Sequence, residues 1–102
     1  MDKSVKMSML LEIYGNLLTE KQKDTLDLYY NENLSLSEIA EDANITRQGV
    51  RKILQDGEKK LLEFEEKLGV LDTKLKQNKI IEELIVETKD EKIKNKLQKL
   101  LS

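Results

Sequence analysis

Leu36-Ser37-Glu38-Ile39-Ala40-Glu41-Asp42-Ala43-Asn44-Ile45-Thr46-Arg47-Gln48-Gly49-Val50-Arg51-Lys52-Ile53-Leu54 is the stretch on which the fold turns. Two short helices that cross steeply around a tight turn need a small residue on the first helix where the second comes close. Ala40 fills that place, beside the apolar Ile39. The turn needs a residue that accepts positive φ four positions after the alanine; Asn44 stands there, and asparagine is the best non-glycine type for it. Ile45 tucks under the pair, and Val50 and Ile53 return inward ten and thirteen positions past Ala40. Ile39, Ala40, Asn44, Ile45, Val50 and Ile53 thus predict a helix-turn-helix unit whose second helix starts at Arg47 behind a Thr46 cap.

Working outward, Ser35-Leu36-Ser37-Glu38 is a capping box that opens the first helix of the pair, and Thr19-Glu20-Lys21-Gln22 is another that opens a helix to about Tyr30. Leu26, Tyr29 and Tyr30 face inward there. Adjacent helix residues point about 100° apart, so Tyr29 reads as core rather than as half of a base-stacking pair. Lys3–Tyr14 reads as a first helix on the spacing of Met7, Leu10, Leu11 and Tyr14, with Gly15-Asn16 as a left-handed stop. Downstream, Leu61, Leu62, Phe64 and Leu68 extend the Arg47 helix to Gly69, with room for a bend near Gly57. Asp72 is a candidate cap for a fifth helix carrying Leu75, Ile80, Ile81, Leu84 and Ile85. Thr88-Lys89-Asp90-Glu91 reads as a third capping box, ahead of a last seam of Ile93, Leu97, Leu100 and Leu101. The organisation expected is a helix-turn-helix domain over residues 1–70 and a helical extension over 71–102.

Composition agrees. The 102 residues include no proline and four glycines, and 37% are charged. A chain rich in strong helix formers with so few breakers folds as helices, so the class is all-α. The absence of cysteine excludes disulfides and thiolate metal sites. The absence of histidine removes the usual neutral-pH base and the commonest metal ligand. No catalytic residue, metal site, cofactor or small-molecule substrate is expected. Neither a signal-type leader nor a membrane-length apolar run is visible, which places the protein in the cytoplasm as a soluble chain away from the membrane.

The net charge of -2 is unevenly spread. Residues 1–45 carry 4 basic and 9 acidic side chains, residues 46–60 carry 5 and 2, and residues 61–102 carry 9 of each. Both arginines lie in the middle segment. The outward positions of the second helix are Thr46, Arg47, Gln48, Arg51, Lys52 and Gln55, all polar and none acidic. In a docked helix-turn-helix such a face enters the DNA major groove. Arg and Gln make paired contacts to guanine and adenine edges, and Thr and Lys suit phosphates. An RNA ligand would be held along phosphates or single-stranded loops, because its major groove does not admit a helix. The same face also fits a solvated surface on a protein-binding module, and the apolar seam of residues 75–101 fits self-association as a homodimer or docking on a partner protein.

Several further stretches carry a resemblance: Leu11-Glu-Ile-Tyr-Gly-Asn-Leu-Leu-Thr-Glu-Lys-Gln22, Leu28-Tyr-Tyr-Asn-Glu-Asn-Leu-Ser-Leu-Ser-Glu-Ile-Ala-Glu41, Asn44-Ile-Thr-Arg-Gln-Gly-Val50, Glu58-Lys-Lys-Leu-Leu62 and Phe64-Glu-Glu-Lys-Leu68. In order and spacing, over residues 7–85, the chain resembles the YlxM family of small Gram-positive bacterial proteins. That resemblance implies a fold similar to region 4 of bacterial sigma factors and a gene neighbourhood beside the signal recognition particle GTPase. It implies an accessory or regulatory role in that pathway, with the particle's RNA, DNA or the GTPase itself as partner. The chain departs from the family at position 51, where Arg stands in place of an aromatic such as Tyr. A small DNA-binding transcriptional regulator is the competing expectation.

Overall fold

The computed structural model describes residues 1–101, and these form two compact units, Met1–Gly69 and a second from Val70 onward. Among the described residues all regular structure is helical. The first unit holds α1 (Lys3–Tyr14), a 3-10 turn (Gly15–Leu17), α2 (Glu20–Tyr30), α3 (Leu36–Ala43) and α4 (Arg47–Leu68). The second holds α5 (Val70–Glu87) and α6 (Glu91–Leu100).

Local chemistry sets most of the boundaries. Thr19 and Ser35 both make reciprocal capping boxes, with Gln22 and Glu38, so two backbone donors are satisfied at the start of α2 and of α3. Asn44 adopts the left-handed conformation at φ 56, and the next amide, of Ile45, donates back to Ala40 O at 3.0 Å. Thr46 Oγ1 accepts from the Gly49 amide at 3.0 Å and starts α4, which ends at left-handed Gly69. Three expected punctuation marks differ in conformation or in place. Gly15 is right-handed and begins a tighter turn, closed by the Leu18 amide on Gly15 O, so it stops α1 without the left-handed conformation. Helix α5 starts at Val70, directly after Gly69, which leaves Asp72 inside its first turn rather than at the cap. Asp90, not Thr88, caps α6, accepting from Lys92 and Ile93, because Thr88 spends its hydroxyl on the Asp90 amide.

The core of the first unit is small and apolar. Leu10, Leu26, Ile39, Val50 and Leu61 are fully buried, with Met7, Leu11, Tyr14, Ala40 and Leu54 around them. Helix α4 packs against α1, α2 and α3, so a long central helix carries the unit. It runs unbroken through Gly57, which is buried where α4 meets α2. Two phenols tie the short helices to it. Tyr14 donates to Glu65 at 2.7 Å, and Tyr30 donates to Glu58. Tyr29 is half-buried rather than core and stands edge-on to Tyr30. Leu62 and Leu68, expected inward, are exposed. In the second unit α5 and α6 pack on each other. No helix among the described residues is long and apolar enough to cross a membrane.

Candidate nucleic-acid interface

The candidate interface is built where α3 packs against α4. Ile39 and Ala40 on α3 are buried, and Ala40 has no side chain beyond Cβ to hold α4 away. Val50 is fully buried on the facing side of α4, while Ile45 and Ile53 are half-buried at the margin. With the core side of α4 fixed by Val50, Leu54 and Leu61, helical periodicity decides what faces out. Arg47 and Arg51 lie one turn apart on one row, and Gln48 and Lys52 on the next; Gln55 follows Arg51. Thr46, Arg47, Gln48, Arg51, Lys52 and Gln55 are all exposed.

Their engagements differ. Among the described residues neither Arg47 nor Arg51 forms an ion pair or a side-chain hydrogen bond. Lys52 reaches Asp56 at 3.4 Å, an exposed pair one turn apart, which weakens its positive field only modestly. Thr46 is foremost a cap, since its oxygen accepts from the Gly49 amide, and its hydroxyl proton is still available to donate.

Composition alone leaves one residue in the shadows. Glu58 sits on the same side of α4 as the two arginines, two turns beyond Arg51, where a free carboxylate would oppose them. It is held instead by the Tyr30 hydroxyl and by Lys3 Nζ at 3.6 Å, so α1, α2 and α4 meet on one carboxylate. Burial, then the hydrogen bond and the charge of Glu58, push the Tyr30 phenol above the usual tyrosine range. The sequence signal was a tyrosine at the end of one amphipathic helix and an acid on an otherwise basic face.

Helix α3 presents a different surface. Glu38, Glu41 and Asp42 are exposed on it with no basic residue among them. Backbone and side-chain hydrogen bonds with Ser35 hold the Glu38 carboxyl below the usual glutamate value, so it is charged throughout the neutral range. Among the described residues no cluster of three acidic side chains is arranged to hold a metal ion.

Comparison with known proteins gives one consistent result. The family model described as "Putative helix-turn-helix protein, YlxM / p13 like" matches residues 1–101. A UPF0122 protein of Clostridium kluyveri is 46% identical over 81 residues, covering 78% of this chain and 73% of the relative. One from Desulforamulus reducens is 45% identical over 80 residues, covering 78% and 68%. One from Lactococcus lactis subsp. cremoris is 39% identical over 100 residues, covering 97% and 90%.

Proposed function

The chain belongs to the UPF0122 family of YlxM/p13-like helix-turn-helix proteins, and from that premise we propose that it binds nucleic acid through the opening turns of α4, as an accessory or regulatory protein of the signal recognition particle pathway in the cytoplasm. The observation that carries the binding reading is the pair of unengaged guanidiniums, Arg47 and Arg51, on one exposed row at the start of a capped helix. Arg47 and Arg51 read guanine edges or grip phosphates, Gln48 and Gln55 read adenine, and Lys52 and the Thr46 hydroxyl take phosphates. Duplex DNA is the form whose groove fits α4; the particle's RNA would be gripped along its phosphates or single-stranded loops. The carboxylates of α3 repel phosphates and so lower sequence-independent binding, which agrees with a protein of net charge -2 that needs a defined target. The pathway assignment is supported by the family resemblance.

The test is a salt titration of binding to labelled DNA, with particle RNA as competitor. Arg47→Ala with Arg51→Ala should lower the magnitude of the log affinity against log salt slope by about two, one for each lost phosphate contact. Unchanged affinity across the salt range, with helix content intact, rejects the α4 face.

A further inference from the structure

The unit from Val70 onward buries little of its apolar surface. Leu71 is its one buried hydrophobic residue among those described, while Leu75, Ile80, Leu84, Val86, Ile93 and Leu100 are exposed. Helices of 18 and 10 residues are marginal on propensity alone, so exposed apolar surface of this kind calls for a cover; on α5, Ile80 and Leu84 share one side, and Leu75 and Val86 lie on another. Ile80, 57% exposed, stands at the rim of a hollow of about 370 Å³ lined also by Ile81 and Leu100, and Leu84 follows one turn later on the same side.

The charges along α5 say what the cover is. After Asp72 its first half carries Lys74, Lys76 and Lys79; its second half carries Glu82, Glu83 and Glu87. Among the described residues Lys79, Glu82, Glu83 and Glu87 make no ion pair, although Lys79 and Glu83 have the same spacing at which Asp72 and Lys76 bridge at 2.8 Å. A rod basic at one end and acidic at the other complements a copy of itself laid head to tail, and repels one laid parallel. Antiparallel helix dipoles favour the same arrangement. An anionic lipid surface fits poorly, since the second half would be repelled.

We propose that α5 pairs antiparallel with α5 of a second copy of this chain, across a two-fold axis near Ile80. Ile80 then meets the partner's Ile80, Leu84 lies over the partner's hollow beside Gln77, and Lys76 faces the partner's Glu83 and Glu87. The contact is isologous, so every pair occurs twice. Burial of the isoleucines and leucines supplies affinity, and the charges set direction. A dimer carries two copies of α4, but its formation does not depend on what α4 binds.

The experiment is sedimentation equilibrium of the full chain. The expected mass is twice the 11.9 kDa of one chain. Ile80→Asp with Leu84→Asp should halve it. Because that variant also disturbs the packing of α5 on α6, charge reversal gives a second measure. Glu83→Lys alone should weaken the dimer roughly tenfold or more, by placing like charges together twice, and adding Lys76→Glu should restore it. A wild-type chain that stays at the mass of one copy overturns the proposal, whether or not it adsorbs to phosphatidylglycerol vesicles or captures another protein. So does a dimer indifferent to Ile80 and Leu84, or one that Lys76→Glu fails to rescue.

Discussion

Gly57 on α4 approaches Leu26 on α2 so closely that a methyl group on its Cα would stand 2.8 Å from Leu26 Cδ1 and 3.4 Å from Cγ. Leu26 has no exposed surface into which to retreat. The glycine is therefore a packing device: it brings α2 close enough for Tyr30 to reach Glu58.

Gly57→Ala sets two effects against each other. The added methyl improves helix propensity by about 1 kcal/mol, and overpacking a full core costs about 1–3 kcal/mol. The expected result is a net loss of about 1 kcal/mol in urea unfolding, with an unchanged dependence on denaturant. Leu26→Val, which shortens the obstructing side chain, should absorb part of that loss in the double variant.

Asn44 holds φ 56 at the turn between α3 and α4. Asn44→Ala is expected to cost about 1–2 kcal/mol, because a Cβ-bearing residue without a polar side chain resists that conformation. Asn44→Gly should be close to neutral, since glycine adopts it freely. Thermal unfolding of the two variants side by side checks the assignment of the loss to backbone conformation.

Tyr30 ties stability to alkaline pH. Its phenol is raised above the ordinary tyrosine value of about 10, so its contribution is complete below that value and declines as pH rises beyond it, where the unfolded chain ionises first. Tyr30→Phe should lose about 1 kcal/mol at neutral pH and lack this decline. Glu58→Gln should let the phenol ionise nearer its ordinary value in a spectrophotometric titration.

Glu38 acts at the other end of the scale. Its carboxyl is held below the ordinary glutamate value of about 4.3 by Ser35, so the cap it completes is fully present above that value and is lost as pH falls through its lower folded-state value. Carboxyl-detected NMR should show Glu38 titrating below the ordinary glutamate value. Ser35→Ala should return it toward that value and fray the start of α3.

The residues of α4 should separate by role in binding. Lys52→Ala is expected to weaken all DNA sequences alike and reduce the salt slope by about one. Gln48→Ala should leave the slope unchanged while relaxing discrimination at one base position by about 1–3 kcal/mol. Competition titrations with point-substituted duplexes distinguish the two.

The helix-turn-helix was legible because its demands are local: a small residue at 40, a left-handed one at 44, oxygens at 35 and 46, all fixed by offset. Side-chain periodicity likewise puts Arg47, Gln48 and Arg51 outward without reference to any tertiary contact. What stayed hidden was pairwise. Nothing in the spacing of Tyr30 and Glu58, 28 residues apart, announces that they meet, and nothing at Gly57 separates a bend from a crossing. Helix α5 starts directly after Gly69, three residues before Asp72, and α6 is capped at Asp90, two residues after Thr88, because backbone geometry and not residue type alone decides between neighbouring candidates.

Tyr14, Tyr29 and Tyr30 are the only tyrosines in a chain without tryptophan, and all three hang on α1 and α2, two of them bonded to carboxylates of α4. Intrinsic fluorescence thus watches the release of α4 from its neighbours and is blind to α5 and α6. Circular dichroism, which counts every helical peptide, sees both. A melting curve followed by the two signals at once separates loss of the helix-turn-helix unit from loss of the α5–α6 pair, without any label being attached.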